Sequence, residues 1–239
     1  MSRRRLGLEV GVLAFASVFP TVLTWTYFVG AHPGPRMKFI YTAGKIIQFS
    51  LPALFWLATD RSHFRFTSPK RRGMLTGILF GLLVVLAVHN LFAYLSRHKY
   101  QPFLDQLAEQ VRTKVTAFDL TSPLMFLIFG VFLCIIHSGL EEYYWRAFLF
   151  TGLRKLLPLP CAIAISSIGF MAHHVVVLNE YFPGHFWTAT LPFSIAVACG
   201  GAIWAWMLDR YRSIYPVWVS HALVDAAIMV VGWQLLFGR

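Results

Sequence analysis

Apolar residues fall along this chain in long blocks separated by short polar turns. A helix needs about 20 predominantly apolar residues to cross the hydrocarbon core of a bilayer. Seven blocks reach or approach that length, at 6–29, 39–59, 74–95, 122–150, 159–178, 186–208 and 214–237. The second is the weakest, because Lys45 and Gln48 interrupt it, and the fourth is the longest, with its charges in its second half. Between the third and fourth blocks, Phe103, Leu104, Leu107 and Val111 recur at helical spacing within 100–118, the pattern of a short amphipathic surface helix. No repeat of solenoid period is present. The pattern predicts an all-α, polytopic transmembrane bundle of about seven helices, eight if 100–118 is counted. It forms a single membrane domain over residues 1–239 with a polar intramembrane cavity.

Composition strengthens this picture. Of the 239 residues, 57% are hydrophobic and only 13% charged, against about 25% charged in an ordinary soluble domain. The mean hydropathy is +0.62. The formal net charge of +11 would suggest nucleic acid in a soluble protein. Here the basic residues sit in turns beside apolar blocks, as they do at an anionic membrane surface, and no nucleic-acid motif accompanies them. Arg3, Arg4, Arg5, Arg61, Arg65, Lys70, Arg71, Arg72, Arg154, Lys155, Arg210 and Arg212 fall on one side of the predicted topology, while the turn 179–185 has no Lys or Arg. The positive-inside rule then places the N-terminus in the cytoplasm. The short N-terminus and compact turns fit a multi-pass protein of a prokaryotic inner or plasma membrane. Cys134, Cys161 and Cys199 each lie within an apolar block and form no C-x-x-C pair, so they read as small buried hydrophobes.

Ionisable groups inside a spanning helix are costly and mark function or pairing. The last four blocks contain Glu141, Glu142 and Arg146, then His173 and His174, then His221 and Asp225. At 1.5 Å of rise per residue, Glu141 lies about 13 Å from the inner end of its helix, His221 and Asp225 about 10–17 Å in, and His174 about 22 Å in. These depths allow the clusters to meet in one water-filled cavity. Glu142 and Arg146 are four apart and share a helix face as an expected ion pair. Glu141 points about 100° away from that pair, on the side suited to general-base work. Asp225 is four residues after His221 and is placed to orient its imidazole. His173 and His174 point in different directions, and the sequence leaves open which is the working one. His137 shares the face of Glu141.

The three clusters read E-E-x-x-x-R (Glu141, Glu142, Arg146), F-x-x-x-H (Phe170, His174) and H-x-x-x-D (His221, Asp225). In this order the chain resembles the family of CAAX prenyl proteases and bacteriocin-processing enzymes, also called the Abi or type II CAAX protease family. The resemblance covers roughly 122–232, the catalytic motif-bearing helices. It implies a bundle of about eight helices around a conical cavity and an intramembrane endopeptidase. It also implies that Glu141 activates the attacking water, His174 shares that water, and His221 with residue 225 stabilises the oxyanion. Asn is familiar at the last position in the prenyl-protein enzymes; the Asp here donates a hydrogen bond only when protonated.

The reaction expected is peptide-bond hydrolysis in a membrane-anchored or lipidated substrate within the bilayer. No cofactor is required by this reading. Zinc is the alternative, with Glu141, His174 and His221 as ligands, although no H-E-x-x-H helix is present. Two rival functions use the same residues, a proton-coupled carrier and a catalytically silent membrane scaffold or binding protein. The absence of an inverted repeat weighs against the carrier.

Overall fold

The computed structural model describes residues 3–29, 35–59, 68–69 and 71–238. Arg61, Arg65, Lys70 and Arg239, and the side chains of Arg3 and Arg4, lie outside the described residues. Helices make up the described chain, with no strand among those residues: α1 (Arg3–Phe28), α2 (Pro35–Thr59), α3 (Arg71–Arg97), α4 (Gln101–Ala117), α5 (Pro123–Leu156), α6 (Leu159–Tyr181), α7 (Phe186–Tyr211) and α8 (Tyr215–Phe237). All seven predicted blocks form helices, and α4 is the short amphipathic helix expected at 100–118. Its buried seam is Leu104, Ala108 and Val115, one step around from the predicted stripe, with Phe103, Leu107 and Val111 half-buried.

Among the described residues six helices, α1, α3, α5, α6, α7 and α8, are long and apolar enough to cross a membrane. With α2 and the short α4, the described residues hold the seven expected blocks and the eighth helix over 100–118, as a polytopic helical bundle. The second block does form a helix, but α2 also takes in Arg36 and Lys38 in addition to Lys45, which lowers its apolarity. Lys45 is accommodated within that helix: its Nζ donates to Gln48 Oε1 at 3.2 Å and lies over the rings of Tyr41 and Phe49. The cysteines also differ from expectation. Cys161 and Cys199 are exposed and Cys134 is half-buried, since exposure to lipid costs an apolar thiol nothing.

The chain divides into two compact units, each discontinuous in sequence: Met1–Thr67 with Tyr143–Arg212, and Ser68–Glu142 with Ser213–Arg239. The chain passes from the second to the first inside α5, between Glu142 and Tyr143.

In the first unit, α1 packs on α6, and α6 packs along α7. Tyr144, Trp145, Phe148, Leu149 and Phe150 form its buried centre. Pro20 lies inside α1. A proline has no N–H, so the carbonyl four residues earlier, on Ala16, loses its helical donor. The Tyr144 hydroxyl donates to that carbonyl at 2.8 Å, which replaces the missing bond in a medium where no water can. Gly169 on α6 lets the chains close up: a Cβ there would lie 3.0 Å from Trp145 Cζ3 and 3.2 Å from the Ser17 carbonyl.

In the second unit, α3 and α8 are in backbone contact. The buried residues of α3 are Gly73, Gly77 and Gly81, while Leu75, Leu79, Leu83 and Leu86 are exposed. A Cβ at Gly77 would run into the Pro216 carbonyl oxygen, and one at Gly81 would lie 3.1 Å from that of Ser220. Glycines inward and leucines outward is the reverse of a soluble helix. It arises when the surrounding solvent is as apolar as the side chains, so that close backbone packing decides which face is buried. The N-terminal part of α5 runs antiparallel to α8: Phe126 meets Phe237 at 5.8 Å between ring centroids, Gly130 faces Met229, and Gly139 faces Trp218. The start of α5 is set by Ser122, whose Oγ accepts from the Met125 N–H at 3.2 Å, followed by Pro123 in the first turn.

Candidate active site

Helix α5 is not uniformly α. Wider π turns cover Leu133–His137 and Tyr143–Phe150 and bracket a single α turn, Ser138–Glu142. Such turns are rare and cluster at functional positions, because they rotate the downstream part of a helix relative to the upstream part. Glu141 and Glu142 stand on the bracketed turn, both buried.

In the second unit these carboxylates meet His221 of α8. The His221 Nδ1 is 2.7 Å from Glu142 Oε1, a hydrogen bond between buried side chains 79 residues apart. On the other edge of the ring, Nε2 is 3.8 Å from Glu141 Oε2 and 3.5 Å from Asp225 Oδ1. His137 Nε2 lies 3.9 Å from Glu141 Oε1, so it does share the face of Glu141. Spacing alone assigned Asp225 the task of orienting the imidazole. The geometry instead puts Glu142 on Nδ1 and Asp225 at Nε2. Helical periodicity reveals partners on the same helix, and the partner on Nδ1 comes from another.

The arrangement constrains protons. A carboxylate only accepts, so Nδ1 carries the hydrogen in its bond to Glu142. The Nε2 edge then faces two further carboxyl groups. Two arrangements satisfy it: a doubly protonated ring donating towards them, or a neutral ring whose lone pair accepts from a protonated acid or a bridging water. Either way, a transferable proton sits among His221, Glu141 and Asp225.

The first unit assembles the remaining residues. Arg146, buried, places its guanidinium carbon 4.2 Å from the centre of the Phe170 ring and 5.0 Å from that of Trp204. Aromatic faces stabilise a desolvated cation electrostatically. Gly201 makes the room: a Cβ there would lie 3.1 Å from Arg146 Nη2 and 3.4 Å from Phe170 Cδ1. His174 Nδ1 is 2.8 Å from the Phe170 carbonyl. That oxygen accepts only, so Nδ1 holds the hydrogen and Nε2 is the ring's other edge. His173 is buried and stacks parallel on Trp145, with centroids 5.4 Å apart and planes 5° from parallel. The half-buried ring with its Nδ1 hydrogen fixed is therefore His174, and His173 is part of an aromatic stack.

Within the second unit the structure gathers Glu141, Glu142, His221 and Asp225, with His137 beside them. Within the first it gathers Arg146, Phe170, His173 and His174. Sequence reasoning missed Trp204 and Gly201 on α7, the glycine face of α3, and Trp218. The G-x-x-x-G-x-x-x-G spacing of Gly73, Gly77 and Gly81 was a readable signal of close helix packing. Trp204 carried none beyond its residue type.

A polytopic helical protein with six long apolar helices among its described residues defines the class, an integral membrane protein. Residues 123–227 match the family model described as type II CAAX prenyl endopeptidase Rce1-like. The matched segment is a little under half the chain and contains all three motifs, from the first turn of α5 to just past Asp225. This segment is similar to the Rce1-like family, and that likeness supports a CAAX-type protease. No curated protein and no solved structure matches the chain.

Proposed function

We propose that this protein is an intramembrane endopeptidase that hydrolyses peptide bonds of membrane-anchored or lipid-modified substrates with water activated by Glu141. The observation that carries the reading is the His221 imidazole, fixed by Glu142 at Nδ1 and facing Glu141 and Asp225 at Nε2. Glu141 removes a proton from water as its oxygen attacks the carbonyl carbon. The proton then passes to the leaving amine as the C–N bond breaks, which yields a carboxylic acid and an amine. A donor is required where negative charge develops on the carbonyl oxygen, and His221 Nε2–H or a protonated Asp225 supplies it. The family resemblance gives His174 a share in the same water. Glu142 orients His221, and Arg146 is a structural cation. The N-terminus lies in the cytoplasm.

Zinc is the second reading, favoured by the ligand-type atoms around His221 Nε2. Two ligands of one tetrahedral zinc stand about 3.3 Å apart, and His221 Nε2 is 3.8 Å from Glu141 Oε2. Glu141, His221 and, by the resemblance, His174 would hold it, and it would polarise water.

The test is cleavage of a panel of membrane-anchored and prenylated peptides by full-length protein in liposomes, with and without a zinc chelator. Glu141→Gln is expected to lower turnover by about a thousandfold or more, since it removes the base while keeping the shape, with an unchanged melting temperature. Activity surviving in Glu141→Gln would overturn the assignment. Activity lost on chelation and restored by zinc would move the mechanism to a metalloprotease. Proton flux without cleavage would favour a carrier.

A further inference from the structure

Trp218 precedes His221 by three residues on α8, and its indole Nε1–H donates to the Ile135 carbonyl at 2.9 Å. That carbonyl belongs to the π turn just upstream of Glu141 and Glu142. The ring lies against the backbone of Gly139, where a Cβ would be 3.0 Å from Nε1 and 3.2 Å from Cε2. Ile135 is 48% exposed on a helix long and apolar enough to cross a membrane, and in a bilayer core no water competes for its carbonyl.

The direction of this bond matters. In an antiparallel pair, an earlier residue of one helix faces later residues of the other. Here the reverse holds. Trp218, the earlier residue, reaches back to Ile135, while His221 reaches forward to Glu142. The two links cross. Sliding α8 along α5 in either direction must stretch one of them, and rotating either helix breaks both.

We propose that Trp218 is a positioning residue, whose bond to the Ile135 carbonyl sets the register at which the His221 imidazole meets Glu141 and Glu142. The activity arm of its test rests on the hydrolytic reading; the spectroscopic arm does not.

Full-length protein with 15N-labelled histidine is placed in lipid nanodiscs, and the His221 signal is identified by its loss in His221→Gln. Trp218→Phe keeps a ring and removes the donor. Its expected result is a displaced His221 Nδ1–H resonance and turnover lowered about tenfold with KM within about twofold, the signature of misaligned groups, at an unchanged melting temperature. A merely structural role would move the melting temperature and leave the resonance of the folded protein in place. An unshifted His221 resonance in folded Trp218→Phe overturns the proposal. Gly139→Ala, which crowds the indole without removing it, is the second variant and gives the same displacement, or overturns the proposal in the same way, if Trp218→Phe does not fold. Wild-type protein that cleaves no peptide of the panel would sink the protease reading, while the histidine resonance would still decide the role of Trp218.

Discussion

The two buried polar clusters treat charge in opposite ways. Around His221, three carboxyl groups share one imidazole, and the cluster is satisfied only through protons held between its members. Around Arg146, a single guanidinium that does not lose its proton lies against the faces of Phe170 and Trp204. The first arrangement can pass through several protonation states at little cost in geometry, which is what acid–base chemistry needs. The second has one state and serves as a fixed point. Glu142 of the first and Arg146 of the second stand on the same helix, α5, four residues apart in sequence. The π turn that starts at Tyr143 separates a reactive segment of that helix from a packed one.

The sharpest way to break this comparison is Glu142→Gln. If the first cluster works through the charge on Glu142, its loss lowers turnover by about 10–100-fold, the usual cost of removing a group that orients a histidine, with a small change in melting temperature. Turnover unchanged in kinetic assays would mean that Nδ1 needs only an acceptor. Next in size is Arg146→Lys. An ammonium lacks the planar face that stacks on Phe170 and Trp204, so thermal or denaturant unfolding should show a loss of about 1–2 kcal/mol. Equal stability would show that charge alone is needed there. The smallest effect is expected from Asp225→Asn. An amide donates without needing a proton of its own, so turnover should stay within about threefold of wild type. A collapse of turnover would give Asp225 the proton-accepting role at Nε2 and return the oxyanion to His221 alone.

Much of this molecule was legible in the amino-acid order, for a physical reason. A bilayer demands long apolar helices, and these announce themselves by length and composition. Charged residues inside such helices stand out, so Glu141, Glu142, Arg146, His174, His221 and Asp225 were visible as candidates before any fold was known. Pairs at i and i+4 share a face, and the proximity of His137 to Glu141 was implied by spacing. Helix α2 is the block that read as the weakest, and its Lys45 and Gln48 set it apart from the six more apolar helices.

Packing decided which helix faces which, and in what rotation. Glu142, with no sequence neighbour to reveal it, holds Nδ1 of His221 because α5 and α8 run antiparallel at one register. That register depends on glycines of α3 that let α8 approach to backbone contact, and on the indole of Trp218 against Gly139. The two π turns shift the phase of α5, which a fixed 100° step cannot anticipate. The surroundings of His173 and His174 were equally undetermined by their adjacency: the Trp145 ring stacks on the first, and the Phe170 carbonyl meets Nδ1 of the second. Helical periodicity and the cost of burying charge are local properties, and the chain alone determined them. The partners of each charge are properties of contacts between helices distant in sequence, and only the tertiary structure could decide those.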